Sequence, residues 1–432
     1  MVKMPPWPTP LFPNHINFGL ERIRALLKEL GDPHKHIPPT IHITGTNGKG
    51  STLSFIRSIL EHSGYKLHTY TSPHLIRFNE RIKIAGVEIS DNEINELASM
   101  CKKAESRLTQ PVSFFEGVTA MAFLAYKNTY ADFTLLEVGM GGRLDATNVV
   151  ENTIASVVTP ISYDHTQQLG QTLAQIAFEK AGILRKNTKA IISMQTDEAS
   201  NVLNNQAELL NAPVYEYEYD FGCEKLDGQF IYKDNKGEVY FPLPSLLGDH
   251  QIINATTAIA TIKNLDIKNV TDDKIASAIQ NTYWPGRLEQ LKKGRVVQSL
   301  PSGLELWMDG AHNDSGAQIL ANWCSVNNDQ PIYLICGMTK GRDSNNFLSY
   351  FKNIVDLVIG VRVENESMSY LGDYITKAAL NLGIKSVSLD SIEDGIEYIV
   401  NNFSNGKILV CGSLYLAGEL MVKNNSHEYI VK

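Results

Sequence analysis

The segment Gly45-Thr-Asn-Gly-Lys-Gly-Ser-Thr52 combines residue types that bind phosphate. Its glycines allow backbone N–H groups to turn toward an anion, Lys49 supplies a positive charge, and two hydroxyl residues follow the lysine. An apolar stretch at 40–44 precedes the segment, and an apolar-periodic stretch at 53–60 follows it. A strand, a glycine-rich turn and a helix N-terminus in this order predict a site for the phosphates of a nucleoside triphosphate.

The spacing of this segment differs from the common phosphate loop, G-x-x-x-x-G-K-[ST]. Only two residues separate Gly45 from Gly48, and Gly50 stands between the lysine and the first hydroxyl. An ordinary glycine turn between a strand and a helix is the alternative interpretation.

Further polar side chains follow other predicted strands: Ser72, Glu137, His165 and Asp309. Open α/β sheets bind ligands at the carboxyl ends of their strands, so these side chains are candidates for one site. Serine and glutamate oxygens suit magnesium, and a histidine can ligate a metal or donate a proton. An acidic residue such as Asp309 can hydrogen-bond a ribose. The alternatives are a polar surface loop at Ser72, a structural ion pair at Glu137 and a structural role for His165.

Two basic residues extend this set. Lys180 ends an amphipathic helical pattern just before Gly182, where a cation favourable to the helix dipole is the default interpretation. Arg287, after Pro285-Gly286, has a planar guanidinium that can bind phosphate.

The start of the run Gly139-Met-Gly141 resembles a dinucleotide fingerprint, but the pattern fails there. The third glycine would fall at Leu144, and the residues after it are polar and turn-like. We therefore exclude an NAD site.

Composition narrows the class of protein. The chain has 432 residues, of which 43% are hydrophobic and 20% charged, and its formal net charge is −8. These values predict a globular protein of two or three domains that does not bind nucleic acid generally. No apolar run is long enough to span a membrane, and Met1 to Pro8 contain no secretory h-region. Five scattered cysteines indicate reduced thiols, so we expect a cytoplasmic protein.

Strand and helix patterns alternate in the first half of the chain. Short apolar stretches predict strands at 40–44, 66–70, 133–138, 154–159 and 189–194, with helices between them such as 90–108 and 115–126. This alternation predicts an α/β domain with a mostly parallel sheet covered on both faces. Residues 81–89 alternate around Ala85-Gly86 like a hairpin, and 215–241 predict a small antiparallel flap, placed at about 212–244.

A second series begins after the breakers Pro285 and Gly286. Strands are predicted at 305–308, 331–336, 356–363 and 407–411, with helices between them. We expect a smaller, Rossmann-like α/β domain here, with domains of 1–287 and 288–432.

Nine motifs in order resemble folylpolyglutamate synthase and dihydrofolate synthase, relatives of the Mur ligases of the bacterial cell wall. They extend over most of the chain, from residue 45 to residue 419, and read GTNGKGST, TSPHLIRFNERI, FFEGVTA, LEVGMGGRLDATN, DHTQQLG, EKAGI, PGRLEQL, DGAHN and LVCGSLYLAGE. The phosphate-loop spacing is usual in this family. A D-K-D-like run common in the family reads Gly337-Met-Thr-Lys-Gly-Arg-Asp343 here, so the C-terminal wall of the site is less well predicted.

The resemblance implies roles for individual residues. Phosphates would be held by Gly45, Thr46, Asn47, Gly48, Lys49, Gly50, Ser51 and Thr52, with further nucleotide contacts from Asn254, Arg287 and Asp309. Magnesium would be held by Ser72, Glu137, His165 and a carbamylated Lys180, and His312 would join Lys49 and Lys180 in catalysis. The pterin or folate pocket would include Arg77, Ser113, Phe114, Phe115, Glu116, Leu144, Asp145 and Ala146.

The implied activity is an ATP-dependent amide ligase of the bifunctional bacterial type, with a P-loop ATPase-type N-terminal domain. It would join L-glutamate to dihydropteroate and to reduced folates through an acyl phosphate, with one or two Mg²⁺ ions. ATP would lie between the domains. We expect a monomer whose only partners are these small molecules, without nucleic acid or membrane. The alternatives are a folylpolyglutamate synthase alone, a nucleotide-dependent switch, and a catalytically inactive folate-binding relative.

Overall fold

This computed structural model describes residues 4–8, 19–364 and 366–425, which form two compact units. Of these described residues, the N-terminal unit comprises those up to Ser245 together with Asp249–Tyr283. The C-terminal unit comprises Leu246–Gly248 and the described residues from Trp284 onward. Among the described residues, no helix is long and apolar enough to cross a membrane.

The helices and strands have the following bounds in chain order. The N-terminal unit contains α1 Glu21–Glu29, β1 Thr40–Thr44, α2 Lys49–His62, β2 Leu67–Tyr70, β3 Ile82–Ile84, β4 Val87–Glu88, α3 Asp91–Glu105, α4 Phe114–Lys127, β5 Phe133–Glu137, β6 Thr153–Val158, α5 Thr166–Leu169, α6 Leu173–Ala181, β7 Lys189–Ile192, α7 Asp197–Leu209, β8 Val214–Glu216, β9 Phe221–Lys225, β10 Gln229–Asp234, β11 Gly237–Pro242, α8 Asp249–Leu265 and α9 Asp272–Gln280. The C-terminal unit contains β12 Glu289–Leu291, α10 Arg295–Gln298, β13 Gly303–Met308, α11 Asp314–Val326, β14 Ile332–Cys336, α12 Ser344–Ser349, β15 Leu357–Gly360, α13 Gly372–Asn381, β16 Ser386–Ser388, α14 Ile392–Asn402, β17 Asn405–Cys411 and α15 Leu414–Asn424.

The large sheet of the N-terminal unit has the order β4-β3-β2-β5-β1-β6-β7-β8. Strands β2, β5, β1, β6, β7 and β8 are parallel, and the β3–β4 hairpin adds an antiparallel edge. The four central strands β2, β5, β1 and β6 therefore direct their carboxyl ends, and the loops that follow them, to one edge of the sheet. Ser72, Glu137 and His165 lie at these strand ends, whereas Asp309, grouped with them above, belongs to the C-terminal unit.

Capping boxes define where three of the helices around this sheet begin. The side chains of Ser90, Ser113 and Thr172 each accept a hydrogen bond from the backbone amide three residues later. The Glu or Gln side chain at that later position accepts a hydrogen bond from the N-cap backbone amide in return. Helices α1, α3 and α4 then bury a core with Tyr70 and Leu136. Helices α6 and α7 bury a second core with strands β6 and β7.

The flap is shorter than predicted. An antiparallel sheet of order β11-β10-β9 covers Phe221–Lys225 to Gly237–Pro242. The segment Val214–Glu216, which the sequence placed in the flap, instead pairs in parallel with β7 at the edge of the large sheet. The prediction was wrong for this segment because residues 215–241 are rich in tyrosine, glycine and charge throughout, whereas pairing with β7 decides where Val214–Glu216 lies.

The C-terminal unit has a six-stranded sheet of order β12-β13-β17-β14-β15-β16. Strand β12 is antiparallel to its neighbour, and the other strands run parallel. Helices α11, α12 and α13 cover a core with β14, β15 and β17. All five cysteines are free thiols, and four of them are buried.

Candidate active site

The phosphate loop joins β1 to α2 at the centre of the large sheet. Gly48 has a φ of 83°, a left-handed conformation that favours glycine, and a Cβ there would lie 2.4 Å from the side-chain oxygen of Asn254. The first intrahelical amide bond runs from Thr52 to the carbonyl of Gly48. The amides of Gly50 and Ser51 therefore precede the helical ladder, at the end of the helix dipole that attracts anions.

Two lysine amines meet at the carbonyl oxygen of Gly45. The Nζ of Lys49 donates to this oxygen at 3.0 Å and to the carbonyl of Thr46 at 3.0 Å. The Nζ of Lys180, near the C-terminal end of α6, donates to the same Gly45 oxygen at 2.8 Å. Lys180 is 4% exposed, and its burial, reinforced by the charge of Lys49, lowers its pKa to about 7.

The first residues of the loop are anchored to the segment after β6. The amides of Thr46 and Asn47 donate to the carbonyl of Pro160, and the Thr159 hydroxyl donates to the carbonyl of Asn47 at 2.7 Å. The hydroxyl of Thr46 also donates to the carbonyl of Ser162 at 3.0 Å. These bonds hold the loop in shape, so the amides oriented for phosphate are those at the start of α2.

The structure brings Ser72 and Glu137 together at the ends of the adjacent strands β2 and β5. The backbone amide of Ser72 donates to the Glu137 carboxylate at 3.1 Å, and Glu137 is 5% exposed. His165 lies after β6 in a left-handed conformation with φ of 50°. Its amide donates to the Asp164 carboxylate at 2.7 Å, and its Nε2 is 3.8 Å from that carboxylate.

The donor chemistry of these residues fits a magnesium ion that shares its coordination with phosphate. Within the described ranges, no three His, Cys, Asp or Glu side chains are grouped so as to hold a metal by themselves. Mg²⁺ commonly uses one or two carboxylates and completes its shell with water and substrate phosphates. The Glu137 carboxylate beside Ser72 meets that requirement, whereas His165 follows β6, which β1 separates from β5 in the sheet.

The aromatic residues implied for a pterin pocket lie at the start of α4. The ring of Phe115 packs on the loop after β5 so closely that a Cβ on Gly139 would lie 2.5 Å from its Cζ. The ring of Phe114 stands edge-on to Phe78, and the guanidinium of Arg81 lies 5.7 Å from the Phe114 ring centroid. Flat apolar surface with a cation beside it suits an aromatic ligand.

Three other residues implied for the pocket form hydrogen bonds or ion pairs with other parts of the protein. Ser113 and Glu116 form the capping box of α4, and Glu116 also pairs with Arg22 at 3.1 Å. Arg77 forms an ion pair with Glu88 of the β3–β4 hairpin.

The remaining pocket residues belong to the loop after β5. Leu144 is half-buried, and Asp145 and Ala146 are buried at the start of a short 3-10 helix.

The C-terminal unit positions Asp309 directly after β13. Its carboxylate accepts the amides of Leu288 at 2.7 Å and Ala311 at 2.6 Å. Burial raises the pKa of Asp309, while the charge of Arg287 and these amides oppose that rise. His312 follows, with Nδ1 2.9 Å from the carbonyl of Gly310. Arg287, Asp309 and His312 are thus neighbours within this unit.

Sequence reasoning missed residues that contact the identified ones. The side-chain oxygen of Gln251 accepts a hydrogen bond from the side-chain amide of Asn254 at 3.0 Å, and its own buried Nε2 has no hydrogen-bond partner among the described residues. Its spacing of three residues from Asn254 on one helix face could have indicated it. The negative charge of Asp164 raises the pKa of Lys180 against the effect of burial. Its position beside His165 was the available signal.

Comparisons with known protein families support the resemblance. Residues 43–262 match the Mur ligase middle domain, and residues 296–423 match the dihydrofolate synthetase C-terminal domain. A dihydrofolate synthase/folylpolyglutamate synthase of Bacillus subtilis is 34% identical over 418 residues, which cover 93% of this chain and 94% of that protein. The Escherichia coli protein of the same name is 30% identical, covering 94% and 91%.

Solved structures agree with the fold. Escherichia coli FolC in complex with DHPP and ADP aligns with a TM-score of 0.84 and 29% identity, covering 95% of this chain and 94% of that one. The bifunctional folylpolyglutamate synthase/dihydrofolate synthase of Yersinia pestis, complexed with AMPPNP and an Mn ion, aligns with a TM-score of 0.83 and 26% identity, covering 95% of each chain. The predicted fold class and the predicted resemblance are confirmed.

Proposed function

Because this chain belongs to the dihydrofolate synthase/folylpolyglutamate synthase family of Mur ligases, we propose that it is an ATP-dependent ligase that adds L-glutamate to dihydropteroate and to reduced folates. The observation that carries this proposal is the cluster at the edge of the large sheet. Lys49, Lys180 and the Ser72–Glu137 pair lie on loops and a helix end that meet there. This arrangement suits transfer of a γ-phosphoryl group to a carboxylate.

The reaction has two balanced steps. A carboxylate oxygen of the acceptor attacks the γ-phosphorus, and the bond to ADP breaks to give an acyl phosphate. The amine of L-glutamate then attacks the acyl carbon, phosphate leaves, and the amine loses a proton. Lys49 and the amides at the start of α2 neutralise phosphate charge, which is the main contribution a protein makes to such a transfer.

Glu137, Ser72 and His165 are proposed to hold Mg²⁺. When bound, the ion neutralises and orients the phosphate oxygens. The hydrogen bond from the Ser72 amide fixes the Glu137 carboxylate at the strand end, so this ligand is oriented before the nucleotide arrives.

Lys180 is proposed to be carbamylated. Its neutral amine adds to the carbon of CO₂ and releases one proton, so a neutral side chain becomes an anion where an ordinary lysine would be a cation. A buried amine with a pKa of about 7 has a substantial neutral fraction near pH 7, unlike an ordinary lysine, and that fraction is a competent nucleophile. The carbamate would then supply anionic oxygens able to help hold a second Mg²⁺.

Nucleotide contacts are proposed for Asn254 in the N-terminal unit and for Arg287, Asp309 and His312 in the C-terminal unit. The side chain of Asn254 lies against the backbone of Gly48, so it is close enough to the phosphate loop to contact a nucleotide bound there. The cysteines, which are all free thiols, support a cytoplasmic location, and we propose a monomer.

The proposal is tested by measuring whether ADP release depends on both L-glutamate and a pterin or folate acceptor. Purified protein with MgATP is given L-glutamate together with dihydropteroate or tetrahydrofolate, and each substrate is omitted in turn. We expect ADP release only when ATP, L-glutamate and an acceptor are all present, with turnover on both acceptors. Lys49→Ala should lower turnover by about a hundredfold or more, because a phosphate-neutralising charge is lost.

The alternatives give different patterns in this assay. Turnover with tetrahydrofolate alone would leave a folylpolyglutamate synthase only. Hydrolysis that ignores L-glutamate would indicate a nucleotide switch, and binding of folate without any use of ATP would indicate an inactive relative.

A further inference from the structure

A series of three hydrogen-bonded side chains links the middle of β1 to the loop after β5. The Nε2 of buried His42 lies 2.8 Å from the Thr147 hydroxyl. That hydroxyl donates to the Asp145 carboxylate at 2.6 Å. None of the roles assigned above belongs to His42 or Thr147.

The direction of these hydrogen bonds follows from donor capacity. A carboxylate can only accept, so the Thr147 proton points to Asp145, and a Thr147 lone pair accepts from the Nε2–H of His42. Burial lowers the pKa of His42 to about 3, so the ring is neutral and has a single N–H. Its buried Nδ1 finds no hydrogen-bond partner in the part of the chain that the structure describes, consistent with this tautomer.

The carboxylate of Asp145 links the two ends of the loop formed by residues 139–147. Besides the Thr147 hydroxyl, its carboxylate accepts the amide of Thr147 at 3.0 Å and the amide of Met140 at 3.0 Å. The two amides lie on opposite arms of residues 139–147, so the carboxylate fixes the distance between them. This loop begins at Gly139, on which the Phe115 ring rests.

The same loop is tied to other parts of the site. The Thr44 hydroxyl, at the end of β1, donates to the carbonyl of Gly141 at 2.6 Å. The side chain of Asn148 donates to the carbonyl of Gly182, just after the helix that carries Lys180. The position of residues 139–147 is therefore set from β1 on one side and from α6 on the other.

We propose that His42 and Thr147 are positioning residues for the pterin acceptor, because they orient Asp145 and so hold residues 139–146 against Phe115. The inference rests on the proposed function for the identity of the acceptor. The shape of the pocket would then depend on buried hydrogen bonds that begin at His42 in β1, the strand that precedes the phosphate loop.

The test compares Thr147→Val and Thr147→Ser with Thr134→Val. Thr134 is a matched control because it is equally buried in β5 and its hydroxyl bonds to none of the residues that the structure describes. We measure KM for dihydropteroate, tetrahydrofolate and ATP, kcat, acceptor affinity by calorimetry with ADP present, and the melting temperature. Wild-type protein runs in parallel.

Thr147→Val should raise the acceptor KM and Kd by about tenfold, which is the usual cost of losing a hydrogen bond to a charged group. The KM for ATP should stay within about twofold of the wild-type value. Thr147→Ser and Thr134→Val should match wild type. An unchanged acceptor KM in Thr147→Val, or an equal rise in every KM, would overturn the proposal. Failure of wild type to turn over would instead refute the proposed function.

His42→Leu and His42→Gln give a second pair should Thr147→Val not fold. Glutamine can place its Nε2–H near the position of the histidine Nε2–H, whereas leucine cannot donate. We expect His42→Leu to raise the acceptor KM several-fold and His42→Gln to restore it. Equal acceptor KM values for the two variants would contradict the positioning role.

Discussion

Lys49 and Lys180 direct their amines at the same carbonyl oxygen, yet their surroundings give them different chemistry. Lys49 begins α2 at the loop, where it can exchange two carbonyl partners for phosphate oxygens. Lys180 is buried, and its pKa falls from the usual value of 10.5 to about 7. We therefore propose that the first lysine serves as a mobile cation and the second as a nucleophile.

The pKa of Lys180 predicts how its carbamylation depends on pH. Only the neutral amine adds CO₂, so the rate of carbamate formation should rise through pH 7 and level off above it, given the pKa of about 7. An ordinary lysine would show this rise near its usual pKa instead. The measurement is the carbonyl signal of a carbamate in NMR spectra after CO₂-depleted protein receives isotope-labelled bicarbonate.

Lys180→Met serves as the control because it keeps the approximate volume of the side chain and removes the amine. The variant should show no carbamate signal and should lose ligase activity. Lys180→Ala should regain part of its activity with short carboxylic acids. A wild-type protein without the signal at about pH 8, well above the lowered pKa, yet fully active, would disprove carbamylation.

At the level of secondary structure, the two ends of α2 predict contrasting effects of the same substitution. Gly48 and Gly64 flank this helix, with φ of 83° and 91°. Alanine at Gly64 would meet no atom of the described residues within 4 Å, so it should cost about 1 kcal/mol of stability through backbone strain alone. Alanine at Gly48 adds a clash with Asn254 and should strongly weaken nucleotide binding.

Calorimetric titration with MgADP and thermal melting separate these effects. Gly64→Ala should melt slightly lower than wild type and bind MgADP normally. Gly48→Ala should lose binding by about a hundredfold or more, because the loop backbone that approaches phosphate must move. Equal MgADP affinities in the two variants would show that the Gly48–Asn254 contact does not shape the site.

The elements also show how far sequence reasoning reached. Strand β1 was predicted at 40–44 and is found there, because five buried residues end at a glycine turn. The meeting of Ser72 with Glu137 followed from the rule that parallel strands end at one edge. The partners of Glu116 and Thr147 could not be predicted. Arg22 is 94 residues from Glu116, and His42 is 105 residues from Thr147, so both contacts depend on the folded chain.

For the whole molecule, the residues implied to contact nucleotide are divided between the two units. The phosphate loop and Asn254 belong to the N-terminal unit, whereas Arg287 and Asp309 belong to the C-terminal unit. Nucleotide affinity should therefore depend on a residue that takes no part in folding the phosphate loop. Arg287 is the suitable residue, since Asp309 also organises backbone amides of its own unit.

Arg287→Ala should raise the Kd for MgADP by about tenfold or more, since a guanidinium–phosphate contact is a strong, charge-assisted one. Loss of this charge should also raise the pKa of the Asp309 carboxyl further, because Arg287 now opposes the effect of burial. Arg295→Ala is the matched control, an exposed arginine at the start of α10 in the same unit. If both variants bind MgADP like wild type, the C-terminal unit contributes no charge to the nucleotide site. If only Arg287→Ala weakens binding while its melting temperature is unchanged, the C-terminal unit contributes a positive charge to nucleotide binding.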